Sequence, residues 1–194
     1  MIRKATYNVP KYKGNIIQKP HIIIAIDPDA ELNGIATLTV NTRKLELRSL
    51  SFPETLDYLL YIKRQCEVTN TPYIVVVEAG WLNKGNWHLV KAESHARAAA
   101  KGNSVGRNHE TGRKLVEMCQ HWQIPHDTQK PLILRIKGRN IWKGKDGKIT
   151  HEELSAFATI PTRTNQEERD AALIAWQYAN LPFTKSVTTF VKRK

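Results

Sequence analysis

Two short apolar runs, each closed by a single acid, stand out in the pattern of hydrophobic and polar positions. Residues 22–26 are five consecutive apolar positions, four of them β-branched, and Asp27 and Pro28 follow at once. Residues 73–77 repeat this pattern and end at Glu78. Continuous β-branched runs of this length predict two strands that are buried on both faces of a sheet.

The segments between and after these runs predict further strands and helices. Asn33 and Gly34 form a turn signal, and Thr150 with Glu153 forms a capping box that opens a short helix. Residues 91–101 are rich in alanine and are left open between a helix and a mobile flap. The predicted strands cover residues 21–27, 35–40, 44–51, 73–78 and 124–128, and the longer predicted helices cover residues 53–68, 105–122 and 166–180.

The two acids that close the apolar runs are expected to meet at one edge of the sheet. A helix separates the two strands, so a right-handed crossover makes them parallel neighbours. Open α/β sheets place their active sites at the carboxyl ends of such strands. An acid in this position is more often a turn former than a catalytic group, but its repetition favours a functional role for Asp27 and Glu78.

The last predicted helix carries two further acids on the face that packs. Glu167 and Asp170 are three residues apart, and Leu173 and Ile174 continue the same face. Acids on a packing face are costly unless a cation meets them. This helix is therefore the strongest single indication of a charged site.

The chain is strongly basic. It has 194 residues, with 30 Lys and Arg against 18 Asp and Glu, and a formal net charge of +12. This balance predicts a polyanionic partner, either a nucleic acid or an anionic membrane surface. No apolar run approaches the roughly 20 residues that cross a bilayer, and residues 1–20 lack the apolar core of a signal peptide. We therefore expect no membrane insertion.

Basic residues also suggest how the chain is divided. Residues 1–20 and 182–194 are expected to be a basic arm and a basic tail around one domain at residues 21–181. The arm is either a solvated tail or a segment that follows phosphates. The densest positive segment is residues 130–148, for which phosphate contact is favoured over a merely solvated surface.

Other residue types narrow the chemistry. Cys66 and Cys119 both fall in predicted helices, which indicates free buried thiols and a reducing, cytoplasmic setting. Trp81 and Trp87 are left open between packing on the sheet and stacking on nucleic-acid bases. The sequence has neither a phosphate-binding glycine fingerprint nor a Cys/His cluster at zinc spacing, so no small organic cofactor and no zinc are expected.

Four carboxylates remain as candidate ligands of a hard metal. Clustered acids repel by roughly 4 kcal/mol for each pair about 4 Å apart at an effective dielectric near 20, so they need a counter-charge. Oxygen-only ligands favour magnesium or manganese. Two such ions about 4 Å apart can activate a water and steady the leaving oxygen in phosphodiester cleavage. The four acids are Asp27, Glu78, Glu167 and Asp170.

This order of elements and acids resembles the RNase H-like superfamily, and within it the RuvC-type Holliday-junction resolvases. The matching segments are IAIDP at residues 24–28 with Gly34 after it, VVE at residues 76–78, and EERDAALIA at residues 167–175. The segment TRTNQ at residues 162–166 is similar to the smaller phage-type relatives. The resemblance implies an α/β fold with a mixed five-stranded sheet flanked by helices.

The resemblance also implies an activity. We expect a magnesium-dependent endonuclease that cleaves branched DNA such as Holliday junctions, in DNA recombination and repair. Asp27, Glu78, Glu167 and Asp170 would be catalytic and would hold two Mg²⁺ ions per site, with Mn²⁺ able to substitute. Many members of the family have aspartate where this chain has Glu167, which bears on how one metal is held. A two-fold homodimer would nick opposing strands symmetrically. The residues expected to contact DNA are Lys130, Lys148, Lys137 and Arg139.

Two other functions remain open from the sequence. One is an RNase H-like nuclease that acts on a different substrate, such as an RNA–DNA hybrid or a flap. The other is a non-catalytic basic protein that binds nucleic acid through a vestigial RNase H-like core. Four acids in register argue against the second, because a binding module gains nothing from negative charge beside phosphates.

Overall fold

A five-stranded sheet forms the centre of the molecule. The computed structural model describes residues 19–83, 94–132, 135–136 and 139–183. The sheet has the strand order β3-β2-β1-β4-β5. Its strands are β1 Ile22–Asp27, β2 Asn33–Thr39, β3 Lys44–Leu50, β4 Tyr73–Glu78 and β5 His126–Gln129, and a separate hairpin consists of β6 Arg135–Ile136 and β7 Arg139–Asn140. The helices are α1 Phe52–Val68, α2 His95–His121, α3 His151–Ser155 and α4 Gln166–Tyr178, with short 3₁₀ turns at Gly80–Leu82 and Lys145–Gly147.

The sheet is mixed, and the two acid-terminated strands are parallel neighbours. Strand β1 pairs in parallel with β4, with Ile26 opposite Val77, and antiparallel with β2, with Asp27 opposite Gly34. Strand β3 is antiparallel to β2 and β5 is parallel to β4, so β2 alone runs against the others. Helix α1 is the crossover that makes β1 and β4 parallel. The predicted mixed five-stranded sheet flanked by helices is confirmed.

Strand β1 is buried on both faces, as its apolar run predicted. Ile23 and Ala25 face one core, where they pack with the side chains of residues 171–176 of α4. Ile24 and Ile26 face a second core, which α1 and α2 cover. Burying an aliphatic side chain of this size contributes roughly 1.5–3 kcal/mol. The central strands are therefore the most rigid support available for the acids at their ends.

Side-chain caps define where the helices begin. Thr150 and Glu153 form the predicted capping box at the start of α3. Asn165 is the N-cap of α4, and its side chain accepts a hydrogen bond from the Glu168 backbone N–H at 2.9 Å. The position of this cap fixes the register of α4, and with it the face on which Glu167 and Asp170 lie.

The predicted turn at Asn33 and Gly34 is wrong, because both residues begin β2. The Asn33 side chain is fully buried, donates to Thr55 Oγ1 at 3.0 Å and accepts from the Asp29 backbone N–H at 3.1 Å. These bonds place the reversal one step earlier, in residues 28–32. The Asn33 side chain thus supports the preceding turn from its place at the start of β2, instead of forming a turn itself.

Helix α2 begins ten residues earlier than the confidently predicted helix. It starts at His95, where the Ser94 side chain accepts from the Arg97 backbone N–H. Its first three turns are largely exposed, and a Cβ added at Gly102 or Gly106 would meet nothing. Alanine favours helix without needing an apolar face, so hydrophobic periodicity does not reveal this part.

Other expectations stand as follows. Cys66 and Cys119 are both buried and free, as predicted, and burial raises the pKa of the Cys119 thiol to about 12. None of the helices in the described ranges is long and apolar enough to cross a membrane. The arm and tail, apart from residues 19, 20, 182 and 183, lie outside the described residues, as do Trp87 and Lys137.

Candidate active site

The ends of β1 and β4 bring Asp27 and Glu78 side by side. The parallel register places Ile26 beside Val77, so the acids that follow are neighbours across the ladder. Glu78 also pairs with Gln129 of β5, and its Oε1 accepts from the backbone N–H of Leu132 at 3.4 Å. Both carboxylates therefore project from strands with partners on either side, which keeps their positions fixed.

A glycine lets α4 approach the same strand end. Gly34 lies directly opposite Asp27 in the β1–β2 ladder. A Cβ added at Gly34 would overlap the backbone carbonyl of Glu167. The first turn of α4 therefore rests on the sheet beside Asp27, and only glycine leaves the room for it.

Lys148 supplies the counter-charge that the acids on α4 require. Its Nζ lies 2.7 Å from Asp170 Oδ2, with the lysine side chain 40% exposed and the aspartate side chain 14% exposed. The other oxygen of Asp170 accepts from Gln166 Nε2 at 2.7 Å. Burial by itself would lower the pKa of Lys148, but the hydrogen bond and charge of Asp170, with the charges of Asp27 and Glu167, raise it.

The charges of the three other candidate acids all act on Asp27. Burial is the largest cause that raises the pKa of Asp27 well above its usual range. The negative charges of Glu78, Asp170 and Glu167 raise it further, and the charge of Lys148 opposes them. Burial also raises the pKa of Glu78, against the hydrogen bond from Leu132, and Asp170 adds to the rise. Asp27 and Glu78 thus lie in the negative potential of neighbouring acids, which the charge of Lys148 partly offsets.

The donor set fits a hard divalent cation in its chemistry. Every candidate ligand is a carboxylate oxygen, which suits Mg²⁺ or Mn²⁺. Among the described residues, however, no three His, Cys, Asp or Glu side chains are already grouped as a metal site. Both oxygens of Asp170 are engaged, one by Lys148 and the other by Gln166. A cation at Asp170 would compete with the Lys148 ammonium.

The basic residues expected to contact DNA are dispersed around this cluster. Lys130 is exposed immediately after β5, beside the segment that meets Glu78. Lys148 lies within the cluster itself, paired with Asp170. Arg139 begins β7, in the hairpin that follows β5. Whether these residues touch DNA stays a prediction.

Three residues near the site were not singled out by sequence. Arg169 donates to the backbone carbonyls of Ile149 and Thr164, at 3.0 and 2.7 Å, and so holds the segment that carries Lys148 against α4. Asn108 and His109 of α2 line a cleft that also contains Asp27 and Glu78. Arg169 lies within the quoted segment at residues 167–175, but its contacts depend on packing that the sequence does not specify, and no motif indicates Asn108 or His109.

Trp81 packs on α2 at the wall of this cleft. A Cβ added at Gly112 would collide with the Trp81 ring, and the Arg113 guanidinium lies 5.7 Å from the ring centroid. The ring also meets His109 edge-on at 6.5 Å. The packing that was left open for Trp81 is therefore present in the structure.

Comparisons with known proteins give similarity to solved structures only. No protein-family model matches the sequence, and no curated protein matches it. A structure of Thermus thermophilus RuvC in complex with Holliday junction substrate is 14% identical, covers 82% of this chain and 93% of that chain, and has a TM-score of 0.48. A second structure of Thermus thermophilus RuvC is 14% identical, covers 81% and 93%, and has a TM-score of 0.39.

The strand order and directions described above carry the assignment of fold class. The observed sheet, in the order β3-β2-β1-β4-β5 with β2 alone reversed and helices on both faces, matches the expected RNase H-like α/β fold with a mixed five-stranded sheet flanked by helices; the strand order itself was not predicted. The predicted fold class is therefore confirmed. The likeness of residues 162–166 to phage-type relatives stays a prediction.

Proposed function

We propose that this protein is a structure-selective DNA endonuclease that hydrolyses phosphodiester bonds in branched DNA, such as Holliday junctions. The observation that carries the proposal is that Asp27, at the end of β1, lies under the negative charge of Glu78 at the end of β4 and of Glu167 and Asp170 on α4, in a chain of net charge +12. A protein that only binds nucleic acid would gain nothing from repelling phosphate at one spot. Carboxylates in this position would hold a divalent cation, which would offset the charge of the phosphate.

Magnesium is the cofactor that the donor set favours, with manganese as a substitute. Asp27, Glu78, Glu167 and Asp170 would hold two ions, which when bound would polarise the phosphate and lower the pKa of the attacking water. Asp27 and Glu78 contribute fixed positions, because strands hold them. Lys148 neutralises Asp170 and, being 40% exposed, is also placed to meet a phosphate oxygen.

The remaining surface would hold the DNA backbone. Lys130 and Arg139 follow β5 on the chain, and with Lys137 and Lys148 they are the proposed phosphate contacts. A homodimer with two-fold symmetry would present two such sites to opposing strands of a junction. The cellular roles that follow are DNA recombination and repair.

The test is a panel of substrates under controlled metal. Wild-type protein is incubated with a four-way junction, a flap, an RNA–DNA hybrid and a linear duplex, each with Mg²⁺ and with excess EDTA. We expect cleavage of the branched DNAs in Mg²⁺ alone. Cleavage restricted to the hybrid would indicate a different RNase H-like activity. No cleavage of any substrate would contradict the proposal and favour a non-catalytic protein that binds nucleic acid.

Asp27→Asn is the decisive variant. It removes a metal ligand while leaving the basic surface intact, so junction binding should persist and cleavage should be lost. The matched control is Asp57→Asn, which makes the same change at an exposed position of α1. Full cleavage by Asp27→Asn, or loss of cleavage in both variants, would contradict the proposed site.

A further inference from the structure

Strand β3 forms one edge of the sheet, and part of its outer side is unpaired among the described residues. The Leu45 backbone N–H donates to the Thr159 carbonyl at 2.9 Å, so it points away from β2. Hydrogen-bonding directions alternate along an antiparallel strand, so the N–H groups of Leu47 and Ser49 also point away from β2. In the described part of the chain, neither of these two N–H groups has a hydrogen-bond partner. The second half of β3 can therefore accept a further strand.

A groove runs along this edge. It has a volume of about 370 Å³, with residues 44–48 on one wall and residues 159–161 on the other. The two walls are joined by a single parallel bridge at one end, and Pro161 has no backbone N–H with which to extend it. Leu47 and Ile160 line the groove and are only partly buried against the core on the α4 side. The groove therefore combines open main-chain groups with an apolar wall.

The charges on β3 leave this edge open to an uncharged strand. Lys44, Glu46 and Arg48 alternate with the leucines of the strand, and Arg48 lies over the Tyr58 ring of α1, so they occupy the face away from α4. Glu46 pairs with Lys44 at 3.1 Å and with Arg48 at 3.8 Å, so these charges partly offset one another. Charged side chains protect an edge by repelling other strands, and this protection does not act on a segment without charge.

The chain beyond α4 returns to the start of this groove. The Phe183 ring packs edge-on against Phe157 at 5.3 Å between centroids and against Trp142 at 5.6 Å. Phe157 lies two residues before Thr159, whose backbone is bonded to the start of β3. The residues that follow Phe183 therefore continue from a point near the beginning of β3.

The sequence after Phe183 is typical of a strand. Residues 186–191 read SVTTFV, an uncharged segment of mostly β-branched and aromatic residues. The period of a strand puts Val187 and Val191 on one face, which suits the apolar wall of the groove. The two residues between Phe183 and this segment let the chain span roughly 10 Å, so the groove is within reach.

We propose that residues 186–191 bind in the groove and add to β3 as a sixth strand, parallel to it. Main-chain hydrogen bonds to the outward-facing groups of Leu47 and Ser49 hold the segment, and the apolar wall selects its valine face. The direction follows from the point of entry, because a segment that starts beside the beginning of β3 runs along it toward Ser49.

This strand would also place three basic residues near the carboxylates. Residues 192–194 are Lys, Arg and Lys, and they follow the segment at the end of β3 that holds Ser49. Ser49 lies opposite Gly34, and Gly34 lies opposite Asp27, so the three basic residues emerge at the same end of the sheet as the acids. Three strand spacings separate them, or roughly 14 Å. Their use as phosphate contacts rests on the proposed function and extends it, whereas the docking of the strand does not depend on it.

The first experiment compares four proteins by amide hydrogen exchange followed by NMR. They are the full chain, a chain that ends at Phe183, the double variant Thr188→Pro/Thr189→Pro, and its matched control Thr188→Ser/Thr189→Ser. Neighbouring residues of a strand point their N–H groups to opposite sides, so the double proline variant removes the donor that faces β3 in either register. The serine variant keeps both donors.

We expect the Leu47 and Ser49 amides to exchange at least about tenfold faster in the shortened chain and the proline variant than in the full chain and the serine variant. Leu45 is the internal reference, because its N–H is bonded to Thr159 in all four proteins. Equal exchange in all four proteins would overturn the proposal. Protection that persists in the shortened chain and increases with protein concentration would assign the groove to a second copy of the chain, and would overturn it too.

The direction of the strand is tested with a nitroxide attached at Lys192→Cys. The two native cysteines are buried, so the label goes to the new thiol. We expect the label to broaden the NMR signal of Ser49 more than that of Leu45. The reverse order would show an antiparallel strand and would overturn the placement of residues 192–194 at the acids.

The last experiment measures junction binding by fluorescence anisotropy in Ca²⁺. Replacing Lys192, Arg193 and Lys194 together by methionine should reduce the slope of log affinity against log salt by up to about three. The double proline variant keeps these charges but not their position, and should bind about fivefold more weakly than the serine variant. Equal affinities of these two variants would overturn the placement of the charges at the DNA. Neither binding nor amide exchange requires cleavage, so failure of the nuclease function would not be mistaken for failure of the docking.

Discussion

Two adjacent acids at the start of α4 have different surroundings, although the sequence leaves them side by side. The Glu168 carboxylate accepts from the Asn165 backbone N–H at 3.0 Å, which is a bond of the helix cap, and from Ser49 Oγ of β3 at 3.3 Å. Glu167 instead acts on Asp27, whose pKa its charge raises. The alternative register, with Thr164 as the cap, is excluded by the observed N-cap at Asn165.

The substitutions Glu167→Gln and Glu168→Gln should therefore affect different properties, the first the cleavage rate and the second the stability. We expect Glu167→Gln to lower the cleavage rate by orders of magnitude with little change in melting temperature. Glu168→Gln should retain cleavage and lose at most about 1 kcal/mol of unfolding free energy. Single-turnover cleavage and thermal melts of both variants provide the comparison. An inactive Glu168→Gln with an active Glu167→Gln would contradict the assignment.

The Lys148–Asp170 pair predicts a link between metal binding and stability. Lys148→Met leaves Asp170 beside three other acids, so without metal it should lower the unfolding free energy by about 1–2 kcal/mol, less than for a fully buried pair. It should also tighten Mn²⁺ binding, measured by titration calorimetry, because the ion no longer competes with an ammonium. The matched control is Lys130→Met, which removes an exposed charge. Weaker Mn²⁺ binding by Lys148→Met than by this control would contradict the competition.

At the scale of elements, the contact between α4 and β2 depends on one glycine. Gly34→Ala would drive a methyl group into the Glu167 carbonyl, so we expect a loss of about 1–3 kcal/mol from overpacking and a large loss of cleavage. Gly102→Ala makes the same change where the structure leaves open space, and should stabilise α2 by about 1 kcal/mol. Chemical denaturation measures both. An unaffected Gly34→Ala would show that α4 can shift without cost.

How far the sequence predicts each element depends on how local its signal is. The strands β1 and β4 and the helix α4 are predicted because unbroken apolar runs and helical spacing are visible within a few residues. The acids on them follow from their positions, but their encounter depends on parallel pairing, which is a topological inference. The cap at Asn165 needed the structure, because Thr164 satisfies the same local rule.

Other features have no local signal at all. The role of Gly34 is set by the backbone of Glu167, which is distant in sequence. The pairing of Lys148 with Asp170 brings together a loop and a helix, and a basic segment gives no indication of which lysine turns inward. The β6–β7 hairpin has two residues in each strand, too short for any alternation to be recognised.

For the whole molecule, the charge of +12 predicts salt-dependent binding. Log affinity for a junction should fall linearly with log salt, by about 0.9 for each phosphate contact. Replacing Lys130 and Lys148 together by methionine should flatten that slope by up to about two. Lys44→Met is the control, because Lys44 pairs with Glu46 at the opposite end of the sheet. Fluorescence anisotropy in a salt series gives both slopes, and equal slopes would show that the basic segment makes no phosphate contact.

The packing of α4 across β1 and β2 also governs when the site can come into being. Chains are made from the N-terminus and domains generally fold as units, so Asp27 and Glu78 are synthesised before the domain can fold completely. Glu167 and Asp170 exist only after α4, and this same helix supplies Ala171–Trp176 side chains to one core. During synthesis the strands β1 to β5 are therefore made before the helix that completes both the core and the set of four acids. Closure of that core and assembly of the full set of acids therefore depend on the same step, the docking of α4 on the sheet.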